Sequence, residues 1–332
     1  MAEVNFHSIN IFEYLKSKIN WIISRIKFCN NSFITEKVRP IYPSIYKSFE
    51  KDFTEDVAIL MQGPILEKYK FTEETLRLYR KNFPYSKIIL STWDSEKYKT
   101  DILKELNIEI LFSNNKNIYP GIQNVNLQII STLNGINYIK EKGYKYTLKT
   151  RTDQRFGNKD LLSFLKLLSN AFPLDTKKVS DQKGRLIGMS FNTFMFKMYS
   201  LSDMFLFGET QDVYDYWNCE LDLREFNNIE NLDLSTNRKF SLLRICEIYY
   251  MTEFLKSKGV NLNWTLEQSW EELVKRFLIV DSYSLDFFWP KYSYYEDRWS
   301  VNNNIKNMEF SFSKWLRINY GEIKSEEYIL DI

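Results

Sequence analysis

Val57-Ala58-Ile59-Leu60-Met61 is a continuous apolar run stopped by Gln62-Gly63-Pro64. A run of this length without alternation predicts a strand buried on both faces, as inside a parallel sheet. The pattern then repeats. Thr72, whose hydroxyl can cap, opens a helix expected to reach about Asn82, with Glu73 and Glu74 in the first turn where the dipole favours them, and Phe83-Pro84 closes it. A strand over 87–92, a short helix and a strand over 108–112 complete a βαβαβ order. That order predicts a right-handed, doubly wound α/β sheet of the Rossmann type, with a nucleotide at its carboxyl edge. No GxGxxG or Walker loop follows the first strand, which disfavours dinucleotide oxidoreductases and P-loop ATPases.

Further along, Tyr146-Thr147-Leu148-Lys149-Thr150-Arg151-Thr152-Asp153-Gln154-Arg155 reads as a strand ending in polar residues. At period two Tyr146 and Leu148 share one face, and Lys149, Arg151 and Asp153 the other. Asp153 thus stands at the carboxyl end of a sheet strand, where ligands of open α/β sheets bind. Two readings stay open: a ligand for a metal or a sugar hydroxyl, or a structural ion pair among Arg151, Asp153 and Arg155. The preceding helix, about 123–140, carries Asn124, Gln128, Ser131 and Gly135 as a neutral polar stripe opposite Ile129, Leu133 and Ile136. Uncharged amides and a hydroxyl suit a base, ribose or sugar; an Asn at a helix start also suits capping.

The 332 residues are 44% apolar and 27% charged, ordinary for a globular protein, and no apolar run reaches transmembrane length. A net charge of +2 argues against a nucleic-acid protein dominated by phosphate neutralisation. Cys29, Cys219 and Cys246 are scattered, suggesting neither disulfides nor zinc and fitting a reducing cytoplasm. The single histidine, His7, leaves acid and base chemistry to carboxylates. Residues 9–28 carry Phe12, Leu15, Ile19, Ile22 and Ile26 at helical spacing, with Trp21, Lys16, Lys18, Arg25 and Lys27 around them. Such a helix packs on the protein's own core or rests on anionic lipid at the inner face of the membrane. It is not a signal peptide.

In the second half, 161–168 predicts a helix, 175–190 a polar loop that covers a phosphate or is simply solvated, and 191–199 with 204–207 strand material around Asp203. Helices are expected over 241–256, with Glu247 in the first half, and over 264–277. Trp299, Trp315 and Tyr320 make the last forty residues too apolar for a loose tail. Aromatic surroundings would raise the proton affinity of Asp203, whereas the helix dipole would lower that of Glu247.

VAILMQGPI (57–65), LRLYRKNFP (76–84), IILSTWD (88–94), NVNLQIISTLNGI (124–136), YTLKTRTDQR (146–155), SLSDMFLFG (200–208) and FFWPKY (287–292), in that order, resemble the WavE lipopolysaccharide-synthesis family. The resemblance spans about residues 55–293. It implies a GT-A type glycosyltransferase with a nucleotide-sugar donor, a divalent metal (manganese or magnesium) and a glycan or lipid-linked glycan acceptor. Under it, Thr150-Arg151-Thr152-Asp153 stands in place of the DxD signature, with Asp153 as metal ligand and Arg151 where the first acid would be. Leu127 replaces an Arg that the family favours, for which Arg151 or Arg155 can substitute. The donor-side candidates are Gln62, Gly63, Asp94, Asn124, Gln128, Arg151, Arg155 and Lys291, the last reaching the diphosphate. Glu247 matches an acid the resemblance leads one to expect, and the catalytic candidates are Asp203 as base and Glu247 as sugar-hydroxyl ligand.

The organisation expected is a helical extension and connector (1–52), a GT-A-like domain (53–293, with 53–160 as nucleotide-sugar half and 161–293 as acceptor half) and a packed C-terminal segment (294–332). The function expected is transfer of a sugar, from a UDP-linked donor, to lipopolysaccharide core, O-antigen or capsule, by a cytoplasmic enzyme touching the inner membrane peripherally. A sugar-phosphate nucleotidyltransferase and a noncatalytic membrane-associated scaffold are the alternatives.

Overall fold

In the computed structural model, which describes Lys18 and residues 54–225, 235–290 and 307–328, the run at 57–61 is β1 (Val57–Gln62), buried throughout. The chain divides into two compact units, Met1–Pro43 and Ser44–Ile332. Lys18, helical and exposed, is the one described residue of the first. The rest of the expected helix over 9–28, His7, Lys291 and Trp299 lie outside the described residues.

After β1 come α1 (Phe71–Asn82), β2 (Lys87–Trp93), β3 (Glu109–Ser113), α2 (Val125–Glu141) and β4 (Tyr146–Arg151). Then follow β5 (Arg155–Phe156), α3 (Leu161–Ala171), β6 (Leu186–Met189), β7 (Leu206–Glu209), α4 (Thr210–Trp217), α5 (Asn237–Leu242) and α6 (Glu247–Ser257). The described chain closes with α7 (Leu266–Arg276), β8 (Phe277–Val280), β9 (Phe287–Phe288) and α8 (Phe312–Asn319). Seven strands form one sheet in the order β3-β2-β1-β4-β7-β6-β8, and β5 pairs with β9 in a second. Only β7 runs against the others, antiparallel to both β4 and β6. The expected α/β sheet is therefore present, mostly parallel with one reversed strand.

This topology fixes where a ligand can sit. The chain steps outward from β1 to β3 and returns through α2 to β4 on the other side of β1, so β1 and β4 diverge in connection while pairing Gln62 with Arg151 at their ends. The crevice beyond such a switch point is where open α/β sheets bind ligands. Close packing holds α2 over it: a Cβ on Gly135 would overlap the Leu60 side chain.

Several sequence expectations need correction. Thr72 lies inside α1 and does not cap it; its hydroxyl accepts from Leu66 N and donates to Thr152 O, both at 2.9 Å. The end of the supposed 175–190 loop is strand β6, and 191–199 is turns and bends with a single bridge, Phe194 to Glu309. The helix over 264–277 stops at Arg276, and Phe277 starts β8 with no breaker between them. The helix over 241–256 is two helices. Arg224 donates to the carbonyls of Leu243 and Arg244 at 2.8 and 2.9 Å, taking acceptors that an unbroken helix would use for its own N–H groups. Ser131 and Gly135, half of the neutral stripe on α2, face the sheet: Ser131 Oγ accepts from Gln62 Nε2 at 2.9 Å. The C-terminal segment packs as expected at Trp315, which is fully buried and donates from Nε1 to Phe277 O.

Candidate functional site

A cavity of about 740 Å³ opens at the carboxyl ends of β1 and β4, bounded also by the N-terminal ends of α2 and α6, by Asn192, Asp203 and Met204, and by Trp289. Its floor begins where β1 stops. Gly63 has φ +124, and a Cβ there would lie 2.9 Å from Thr152 Oγ1, so glycine is required by both backbone and space. The loop beyond it is clamped: Thr152 Oγ1 donates to Pro64 O at 2.5 Å, and Glu96 Oε2 accepts from Ile65 N at 2.5 Å.

β4 delivers the charged groups. Lys149, fully buried, donates to Asp203 O at 2.5 Å and stands over the Trp217 ring; burial pushes its ammonium down to about 7, against the pull of the Asp203 charge. Arg151, two residues on, holds Asp153 with a two-pronged pair, Nε to Oδ1 at 3.0 Å and Nη2 to Oδ2 at 3.1 Å. Its third nitrogen, Nη1, is 3.6 Å from Asp203 Oδ2. Trp289 Nε1 adds a third donor to Asp153, at 3.0 Å from Oδ2. Arg151 is therefore held between two carboxylates, and its proton is bound more firmly than usual through both, although burial opposes them.

Opposite stand the helix ends. Gln123 and Asn124 both have left-handed backbone (φ 52 and 63), and Asn124, though at the cap position of α2, makes no side-chain capping bond. Gln128 Nε2 reaches Cys246 Sγ at 3.7 Å. The break before α6 puts Cys246 (φ 40) and Glu247 on the cavity wall beside Asp203, and one ligand atom from each of the three lies within 4.8 Å of the others. The Glu247 carboxyl is pushed up to about 8, first by burial and then by the Asp203 charge. This reverses the sequence expectation for Glu247. A helix dipole is worth about 0.3–1 kcal/mol at a surface, whereas burial shifts carboxyls by up to about 3–5 units.

Of the residues singled out by sequence, Gln62, Gly63, Asn124, Gln128, Arg151, Asp153, Asp203 and Glu247 all line this one cavity. Two do not. Asp94 is exposed and paired with Lys97 at 2.8 Å. Arg155 is buried away from the cavity, donating to Thr75 Oγ1 and Phe71 O on α1, because the chain turns at 152–154 and breaks the period-two count. The ion-pair reading of the stretch at 146–155 is thus met by Arg151 and Asp153, without Arg155. Lys291 is outside the described residues. Trp289, Trp93, Gln123 and Cys246 line the cavity without having been singled out. Trp289 could have been found in FFWPKY, a quoted motif; nothing in the sequence signals Cys246, whose place depends on the helix break.

The expected metal ligand does not fit a metal. Both oxygens of Asp153 are engaged by Arg151 and one also by Trp289. In the Asp203, Cys246 and Glu247 group, whose ligand atoms lie within 4.8 Å of one another, the Asp203 carboxylate already faces the Arg151 guanidinium.

The family model for WavE lipopolysaccharide synthesis matches residues 57–319, a span that contains every lining residue of the cavity. The chain belongs to the WavE family. That family is described by lipopolysaccharide synthesis. No curated protein matches it. Among solved structures it is similar to mannose-1-phosphate geranyltransferase from Thermus thermophilus, at 12% identity over 45% of this chain and 44% of that one, TM-score 0.28. It is similar also to 4-diphosphocytidyl-2C-methyl-D-erythritolsynthase from Anaerococcus prevotii, at 12% identity over 57% and 84%, TM-score 0.30. A third is HddC from Yersinia pseudotuberculosis complexed with GMP-PN, at 14% identity over 48% and 79%, TM-score 0.30. The chain spans less than half the length of the first of these. At such TM-scores the likenesses lend nothing to the choice of reaction. Among the described residues no helix is long and apolar enough to cross a membrane.

Proposed function

We propose that this WavE protein is a glycosyltransferase whose cavity binds a nucleotide-sugar donor, with UDP-linked sugars as the first class to test, and that it extends a bacterial surface glycan. The observation that carries the reading is the pairing, across one cavity at the sheet's switch point, of a fixed guanidinium (Arg151) with a close carboxyl pair (Asp203 and Glu247). Its volume suits a ligand of nucleotide-sugar size. Gln62, Asn124 and Gln128 supply uncharged amides for base, ribose or sugar hydroxyls. Arg151 faces the donor phosphate, as planar guanidinium forks do.

In the transfer, an acceptor hydroxyl forms a bond to the anomeric carbon as the bond from that carbon to the nucleotide's phosphate oxygen breaks. The hydroxyl proton goes to a carboxylate within reach. Glu247 takes that role: its raised proton affinity makes its ionised form a stronger base than an ordinary carboxylate, and Asp203, anchored by Arg151 and Cys246, sustains it with its charge. The acceptor is a lipopolysaccharide-core, O-antigen or capsule glycan, met at the inner face of the membrane. A thermal-shift panel of nucleotide sugars tests the reading: a ligand at roughly a hundredfold above its Kd adds about 2.7 kcal/mol of stability. A raised midpoint followed by release of nucleoside diphosphate and a glycosylated acceptor supports it. Pyrophosphate release from a sugar 1-phosphate and a nucleoside triphosphate would replace it with nucleotidyl transfer, and lipid binding without any nucleotide response would replace it with a scaffold.

A further inference from the structure

We infer that the donor phosphates are held by the Arg151 guanidinium, and that this binding requires no divalent metal. The inference rests on reading the cavity as the donor site.

In place of a pair of acids the cavity presents Arg151 followed by Asp153, and the acid that remains is already neutralised. Asp153 receives two N–H bonds from Arg151 and one from Trp289, so a metal at this carboxylate would have to displace a fixed fork and an indole. Metal ions serve at phosphate sites by bringing positive charge to an acidic floor. Here the positive charge is built in. Arg151 lies between Asp153 and Asp203, so both acids have its guanidinium beside them. Gln123, Asn124 and Gln128, at the start of α2, line the same space with uncharged amides that suit the nucleoside end of the donor. Asp153 takes the Nε–Nη2 side of the guanidinium and so fixes its plane, leaving the second N–H of Nη2 and those of Nη1 to donate to a phosphate.

The test is isothermal titration calorimetry of the full chain with uridine, guanosine and thymidine diphosphates and cytidine monophosphate, in EDTA and again in manganese chloride. Manganese alone is followed in parallel by its free-ion paramagnetic resonance signal. The expected result is that at least one nucleotide binds with Kd in EDTA within roughly threefold of its value in manganese, and that the protein alone leaves the manganese signal unchanged. Arg151→Met should weaken that nucleotide by roughly tenfold or more, the loss expected for a charged hydrogen bond, with Arg151→Lys between it and wild type. Asp153→Asn should weaken it by less than Arg151→Met. Binding seen only with manganese, or manganese bound by the wild type and lost in Asp153→Asn, overturns the inference while leaving the donor-site reading intact. No binding of any of the four nucleotides in either buffer overturns the donor-site reading itself and this inference with it. The wild-type comparison stands even if a variant fails to fold.

Discussion

Trp289 Nε1 donates to Asp153 Oδ2 at 3.0 Å although 136 positions separate the two residues. The bond joins the segment after β9 to the end of β4 and completes the set of donors that holds Asp153 against Arg151. Trp289→Phe removes this donor and keeps an aromatic ring for the edge contact with Phe191. Because Asp153 is partly exposed, the cost should sit near the low end for a bond to a charged group, about 1.5 kcal/mol. Urea unfolding should show a lower midpoint with an unchanged slope, and an unchanged midpoint would contradict the assignment.

Glu247 should make stability depend on pH in a defined direction. Its carboxyl is pushed up to about 8 from an ordinary value of 4.5, so between those values the folded protein keeps a proton that the unfolded chain releases. Stability from this group is complete below about pH 4.5 and is lost as the pH rises through about 8. Glu247→Gln cannot ionise and should lose that slope, melting higher relative to wild type at about pH 9 than at about pH 5. Parallel curves for the two proteins would rule out a raised Glu247.

Turnover should report the same group from the other side. If the ionised Glu247 is the base, kcat rises with pH up to about 8. Glu247→Gln should cut kcat by roughly 10²–10⁴ with nucleotide affinity nearly kept. Asp203→Asn removes the charge that helps raise Glu247, so the rising limb should move to lower pH. A limb that stays in place in Asp203→Asn would show that Asp203 does not act on Glu247.

Gly135→Ala should destabilise the protein without touching the site. The new methyl group would overlap the Leu60 side chain on β1, where α2 packs closest to the sheet. Overpacking of this kind costs about 1–3 kcal/mol. Denaturant unfolding measures it, and a stable variant would show that α2 can move away from β1.

The N-terminal segment should carry membrane contact. Lys16, Lys18, Arg25 and Lys27 surround Trp21 and a stripe of isoleucines, the composition of a helix resting on anionic lipid. Co-sedimentation with anionic vesicles should be lost in a chain beginning at Phe49. Equal sedimentation of both chains would place lipid binding elsewhere.

Those features that a local pattern records were legible in the sequence. β1 is buried on both faces, and five apolar residues without alternation betray it; β4, read at period two, is also enclosed on both faces, down to a fully buried Lys149 that no local pattern announces. Asp203 and Glu247 were found as acids among aromatics and at a helix, and the fold brought both to one cavity. What stayed hidden was set at long range. Arg224 captures the carbonyls of Leu243 and Arg244 and so breaks a helix whose own sequence shows no breaker, which places Cys246 and half-buries Glu247 beside Asp203, against the dipole argument. Arg155 was misplaced because period two was carried past Arg151, where the strand ends in a turn. Phe277 follows Arg276 with no glycine or proline to announce β8.

A crystal structure of the full chain with bound uridine diphosphate tests the central claim most directly. The account predicts the phosphates within hydrogen-bond distance of Arg151, the base or ribose among Gln62, Asn124 and Gln128, and open space between the phosphates and Glu247 for the donor sugar and the acceptor hydroxyl. A nucleotide bound outside this cavity, or one whose phosphates turn away from Arg151, would contradict it.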